Sequence, residues 1–473
     1  MNKMSAYKNL HNLLVNIYLV TLFILVSSFK INDDVCIKKT FNVLDFGAKG
    51  DGKTLDSPAI QRAIDSAAYY GNGSQVLIPG KKRYLVGTIV LKSDIELHIE
   101  EDAELFISTD STHYINDAVI YAYDVKNLRI TGKGYINGRD LEFMKYYDKI
   151  DEWWIFKNWR PKIFILTKVN NLEIRDISFG QAPFWGLHML GCENVLVDNI
   201  KVKNNLEVPN CDGIDPDHCR NVVIQNCHII SGDDAIVIKA TRQNENFGPS
   251  ANILVRDCIL ETQDAGVKIG TETTQDIYNI VFENIKIITS SRGIAIQLRD
   301  EGNVHDITFK DIEFKSRYYS KPWWGRGEAI SFTAIPRLPD SKIGNLYNIK
   351  LLNITGYAEN SIRICGTIES RIKDVLLENV NITLNKTTKY EGGLFDNRPT
   401  RKYEPTPKHD NPGIFISYAD NILLKNCIVN WGENRPEYYT NALRAENSTN
   451  IKLINFKGKS ANPKKYKALV IDK

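Results

Sequence analysis

Apolar and polar residues alternate in short runs along this chain, and the runs repeat. A seven-residue pattern has Asn or Asp first, apolar residues second, fourth and seventh, and Asn or Asp sixth. NLEIRDI starts at Asn171, NVLVDNI at Asn194, NVVIQNC at Asn221, NILVRDC at Asn252 and NIVFENI at Asn279. DITFKDI follows at Asp306, NIKLLNI at Asn348, DVLLENV at Asp374, NILLKNC at Asn421 and NIKLINF at Asn450. Successive starts differ by 23, 27, 31, 27, 27, 42, 26, 47 and 29 residues. Recurrence at this interval marks a solenoid, whose units bury their apolar faces against one another. Period-two alternation rich in β-branched residues makes each unit strand. The pattern therefore predicts an all-β protein, a single-stranded right-handed parallel β-helix, with the repeated Asn laddering its side chain from coil to coil.

Ahead of the repeats, FNVLDFGAKGDGKTLDSPAIQRAIDSAA predicts a short strand, a Gly-rich turn and a capping helix. Asp56 or Ser57 starts that helix, Pro58 sits in its first turn, and Ile60, Ala63, Ile64 and Ala67 form its apolar stripe. GAKGDG lacks the spacing of a phosphate-binding loop. The two long intervals predict insertions, RYYSKPWWGRGEAISF and KYEGGLFDNRPTRKYEPTPKHDNP, that wall a groove. At the amino terminus, Lys3 and Lys8 precede the apolar run Leu13–Val26, which Ser27 and Ser28 follow. The expectation is a signal peptide over residues 1–28 and one β-helical catalytic domain over 29–473, exported to the periplasm or the exterior. An uncleaved anchor is the alternative; after cleavage no stable membrane span and a monomer are expected.

A formal net charge of +3 over 473 residues gives no reason to expect a nucleic-acid partner. The eight cysteines include no CxxC, which argues against a zinc site. Cys192, Cys227, Cys258 and Cys427 recur at similar places in the repeats, as stacked buried thiols or as disulfides.

Candidate chemistry concentrates in NCDGIDPDHCRNVVIQNCHIISGDDAIVIK, from Asn210 to Lys239. Asp212 and Asp215 precede a strand pattern, and Asp233 and Asp234 follow it as an adjacent pair. Two acids side by side repel, so their placement needs a reason other than turn formation. Glycoside hydrolysis supplies one: a carboxylic acid to protonate the leaving oxygen and a carboxylate to activate water. If Asp212 ends one strand, stacking brings it within one or two strand spacings of Asp233. That is compatible with the roughly 6.5–9.5 Å between carboxyls of inverting enzymes and does not exclude the shorter retaining distance.

These motifs resemble glycoside hydrolase family 28, the polygalacturonase-like pectin hydrolases. Asn210-Cys211-Asp212 and Gly232-Asp233-Asp234 stand where that family has NxD and GDD, and the resemblance runs from FNVLDFGAKGDG through PFWGLHMLGCENVLVDNI to the last coils. It implies Asp233 as general acid, Asp212 and Asp234 as the pair activating water, inversion at the anomeric carbon, a polysaccharide or oligosaccharide substrate, and no metal or cofactor. The chain departs from the family at two points. Ala265 stands where the family carries a histidine, and Ala295 and Gln297 where it carries an Arg-x-Lys that meets the galacturonate carboxylate. Altered or exo-type specificity is therefore expected. Lys268 and Arg299 are the best replacement cations, with Arg292, Arg326 and Arg363 further candidates. Asn210, Gln297, His188 and Trp324 complete the expected substrate contacts, and Trp185 is a possible sugar platform. A β-helical polysaccharide lyase, with DGIDPD holding calcium, and a non-catalytic carbohydrate-binding β-helix remain the rival readings.

Overall fold

Residues 38–472 are described in the structure, a computed structural model. The expected signal peptide and Cys36 lie outside them.

The second residue of each repeated motif builds the core. Leu172, Val195, Val222, Ile253, Ile280, Ile307, Ile349, Val375, Ile422 and Ile451 are register partners in one continuous parallel column. Strand spacing of about 4.8 Å lets like side chains stack along such a column. Phe282 and Phe309 do so with ring centroids 5.1 Å apart and planes 5° from parallel. The motif's first residue turns the chain. Asn171, Asn194, Asn221, Asn252 and Asn279 all have φ between 56° and 63°, a left-handed conformation that Asn tolerates better than other residues with a Cβ. Their amides form the expected ladder: Asn221 donates to Asn194 at 3.1 Å, Asn252 to Asn221 at 3.1 Å and Asn279 to Asn252 at 2.6 Å.

The result is a right-handed parallel β-helix. One of its sheets has thirteen parallel strands and carries the candidate chemistry. Eight of them matter here: β1 (Lys162–Thr167), β2 (Leu187–Leu190), β3 (Ile214–Asp217), β4 (Ile236–Ala240), β5 (Ala265–Thr273), β6 (Arg292–Leu298), β7 (Glu328–Ala334) and β8 (Asn360–Cys365). They pair in sequence order. Alternation sends Ile236, Ile238, Val267, Ile269, Ile294 and Ile296 into the core, so Lys239, Lys268, Ala295 and Gln297 point outward.

The helix α1 (Ser57–Tyr70) forms as expected and buries Ala59, Ile60, Ala63, Ile64 and Ala67. Asp56 precedes it but does not cap it; its carboxylate accepts from the backbone N–H groups of Lys49 (2.6 Å) and Gly50 (3.0 Å) and so closes the Gly-rich turn. The described cysteines are all buried and free, so the stacked-thiol alternative holds for them. No helix among the described residues is long and apolar enough to cross a membrane.

Three excursions from the coils meet on the outside. An antiparallel hairpin pairs Met144–Asp148 with Trp153–Phe156. Trp153 contacts Trp323 of the first expected insertion edge-on at 5.8 Å between centroids. Lys389 of the second insertion pairs with Glu152 at 2.5 Å. Both insertions thus wall one side, as expected, and the hairpin is a third element that repeat-counting did not reveal.

Candidate active site

Asp212 precedes β3, and Asp233 and Asp234 precede β4, in the turns that enter these strands. Sequence alone put Asp212 at a strand's end. Stacking of the two entry turns is what brings the acids together: the N–H of Gly213 donates to the carbonyl of Asp234 at 2.9 Å. One carboxylate oxygen from each of Asp212, Asp233 and Asp234 lies within 4.8 Å of the others. The acids lie this close because they occupy adjacent levels of one stack. A span of this size is bridged by one water with two hydrogen bonds of about 2.7 Å each. The glycine of GDD is needed sterically, since a Cβ on Gly232 would lie 2.2 Å from the carbonyl oxygen of Val208.

The three acids differ in their neighbours. Asp233 accepts from the backbone N–H of Asn210 (3.2 Å) and of Asp234 (2.9 Å), with the Asn210 amide at 3.5 Å. Arg160 fixes that amide's orientation by donating to Asn210 Oδ1 at 3.1 Å. Among the described residues no cation reaches ion-pair distance of Asp233. Asp234 is held by Lys268, 2.6 Å away, and by the N–H of Ala265 at 3.3 Å. Asp212 has Lys239 at 3.8 Å, and Lys239 also lies 3.8 Å from Asp215 and 3.6 Å from Glu272. Behind Lys268 stands Asp264 at 3.4 Å, which pairs with the fully buried Arg292 at 3.0 Å.

Burial raises the pKa of all three acids. The Asp215 charge adds to this at Asp212, Asp212 adds to it at Asp233, where the value reaches about 8, and Asp264 adds to it at Asp234. Like charges this close share their protons, so the titration belongs to the cluster, and the contacts rather than the shifts distinguish its members. Asp264 goes the other way: burial would raise it, but Lys268 and Arg292 hold it low. Burial alone would lower the Lys239 ammonium, yet Glu272, Asp212 and Asp215 hold it well above its usual range. Three such oxygens could also hold a divalent cation; Lys239 and Lys268 already supply positive charge there.

Of the residues expected from sequence, Asn210, Asp212, Asp233, Asp234 and Lys268 come together. His188 lies close by on β2, in register with Asp215. It is a buried histidine whose Nε2 is 3.2 Å from Asp217; burial pushes its pKa down. The remaining four are elsewhere. Gln297 and Arg299 face outward as expected, but the second insertion covers them: Gln297 donates to the carbonyl of Arg398 at 3.4 Å and Arg299 to that of Asn397 at 3.2 Å. Arg326 is buried and donates to the carbonyls of Trp323 and Gly325. Trp324 packs under Arg398, 4.7 Å from its ring centroid. Arg160, Lys162, Lys239, Asp264 and Glu272 were missed. Lys239 was legible, since alternation along β4 places it outward beside Asp217; Arg160 precedes its strand and carries no sequence signal.

A cluster of buried acids with lysines set against two of them, on the outward face of a parallel β-helix, belongs to the class of glycoside hydrolases. The profile of glycosyl hydrolases family 28 matches residues 71–392, and the chain belongs to that family. A probable polygalacturonase of Vitis vinifera is 27% identical over 321 residues, covering 62% of this chain and 64% of the relative, so the match spans less than two thirds of that protein. An exopolygalacturonase of Zea mays is 26% identical over 72% of this chain and 90% of its own. Among solved structures, an exopolygalacturonase from Thermotoga maritima superposes with a TM-score of 0.67 at 22% identity, covering 83% of this chain and 92% of its own.

Proposed function

We propose that the protein is an exported hydrolase that attacks an acidic, pectin-type polysaccharide from its ends, with inversion. Asp233 gives its proton to the leaving glycosidic oxygen. Asp212 and Asp234 take a proton from the water whose oxygen bonds to the anomeric carbon as the glycosidic bond breaks. The observation that carries this reading is the asymmetry of charge. Among the described residues no cation reaches ion-pair distance of Asp233, which is the member best suited to keep a proton, whereas Lys239 and Lys268 favour the ionised forms of Asp212 and Asp234. Lys268 is then a positioning residue for the base rather than a sugar contact.

Attack from chain ends is supported by the second insertion. Its segment 396–401 lies along the outer face of β6, β7 and β8, where Arg363 donates to the carbonyl of Asp396 at 3.1 Å and Arg401 N–H to that of Arg337 at 2.8 Å. On this reading the segment stops a long chain from continuing along that side of the sheet. The relatives named as polygalacturonases support an acidic pectin substrate.

Product analysis on polygalacturonan and rhamnogalacturonan tests this, beside Asp233→Asn. Expected are short products released from the outset, a first-formed anomer opposite to that of the bond cut, and a loss of kcat of about 10²–10⁴-fold in the variant. An unsaturated, ultraviolet-absorbing product would establish a lyase instead, and a retained anomer would assign one of the carboxylates to nucleophilic attack.

A further inference from the structure

The cations around the acid cluster differ in whether they already have anionic partners. Lys239, Lys268 and Arg292 each lie within 4.0 Å of at least two carboxylates. Arg363 donates to Asp396 and Asn397 of the covering insertion, and Arg299 divides its donors between Asn397 and the sheet residues Leu298 and Thr333. Among the described residues two cations beside the cluster remain, both on the side of the preceding coils. Arg160 is fixed in place, donating to the carbonyls of Pro183 (3.0 Å) and Pro209 (2.8 Å) and to Asn210. Lys162, which opens β1, makes no ion pair among the described residues.

Lys162 is also aimed. Its ammonium lies 3.3 Å from His188 Nδ1 and 3.8 Å from the centre of the Trp185 ring. A lysine has only donors, so His188 Nδ1 accepts, and Nε2 carries the hydrogen that faces Asp217 at 3.2 Å. Asp217 is itself secured by the hydroxyl and N–H of Thr241. A chain of buried groups thus sets the direction of one ammonium whose other N–H bonds meet no carboxylate at ion-pair distance among the described residues. Burial lowers its pKa to about 8, outweighing the opposite pull of the Asp215 and Asp212 carboxylates, which stay beyond ion-pair distance.

We propose that Lys162 receives the carboxylate of a uronic acid residue on the amino-terminal side of the acid cluster, making this the charge-recognition subsite of the enzyme. The proposal rests on the reading of the substrate as an acidic glycan. It places acid-sugar recognition two coils before the one that carries Asp212. The outward positions after them, Ala295 and Gln297, offer no cation, and Gln297 is covered.

The test compares galacturonate oligomers with their methyl esters, which keep shape and lose charge, on wild type, Lys162→Met and Lys162→Arg. Expected for Lys162→Met is a KM for the free acid raised about tenfold to a hundredfold. Its kcat should stay within a few-fold, and the preference for acid over ester should disappear; Lys162→Arg should restore most of it. An unchanged acid-to-ester ratio in a folded Lys162→Met protein overturns the proposal, as does a loss confined to kcat. If wild type cleaves no acidic oligomer, the functional reading fails, and titration of the acid oligomer into Asp233→Asn decides the subsite separately. Binding that Lys162→Met abolishes in that background supports it, and binding unaffected by the change, or no binding at all, overturns it.

Discussion

Asp233 and Asp234 are neighbours in sequence and are opposite in surroundings, and this sets the first expectations. Both have pKa values raised from 3.8 to about 8 by burial. A raised carboxyl stabilises the fold fully below its unfolded pKa, and that stability is lost as pH rises through the folded value. For Asp233 the window runs from about pH 4 to about pH 8. Asn mimics the protonated acid, so Asp233→Asn should melt above wild type by a margin that grows from pH 4 to pH 8. A margin that stays constant or shrinks would mean Asp233 is ionised at little cost. Lys268 gives a second expectation. Its charge favours ionised Asp234, so Lys268→Met should move the acid limb of the kcat/KM profile to higher pH and lower kcat near pH 6 by about tenfold or more. A uniform loss with an unshifted profile would make Lys268 a packing residue.

At the scale of the element, the Asn turn decides whether a coil closes. Asn279 has φ 56° and donates to Asn252 at 2.6 Å. Replacing it with Ala loses a hydrogen bond, about 1 kcal/mol, and with it the local polar contacts that make the left-handed conformation tolerable to Asn, a conformation that costs other residues with a Cβ up to about 1–2 kcal/mol. Asn279→Gly loses the bond but not the conformation, so urea unfolding should rank wild type, Gly, then Ala. The coils were legible in sequence for the same physical reason: turn residue and inward residue are adjacent, so both fall in one seven-residue pattern, and column and ladder were written ten times. The clustering of the three acids was legible because NxD and GDD are compact. Lys162 and Arg160 were not, since what makes them notable is that no carboxylate among the described residues reaches ion-pair distance, which only three-dimensional packing defines. Arg299 misled for a related reason. Alternation correctly sends it outward, but the loop that covers it comes about 100 residues later.

For the whole molecule the same covering loop is the element to which the proposed attack from chain ends is assigned. Asp396 anchors it to the sheet: its carboxylate is 3.0 Å from Arg292 and 2.7 Å from Arg398, and accepts from the N–H of Gly325 at 2.7 Å. These cations overcome the effect of burial and hold its pKa far below the usual carboxylate range. Removing one partner of a buried ion pair costs about 3–5 kcal/mol. Asp396→Asn should therefore free segment 396–401 while Arg292 keeps Asp264, leaving the acid cluster in place. Wild type should release many reducing ends from polygalacturonan before viscosity falls by half. The variant should lower viscosity at far fewer cleavages, and the segment should become open to limited proteolysis. If protease cuts the loop in a folded variant whose products remain short and viscosity remains high, then the amino-terminal side, where the hairpin of residues 144–156 locks onto both insertions, is what restricts attack to chain ends.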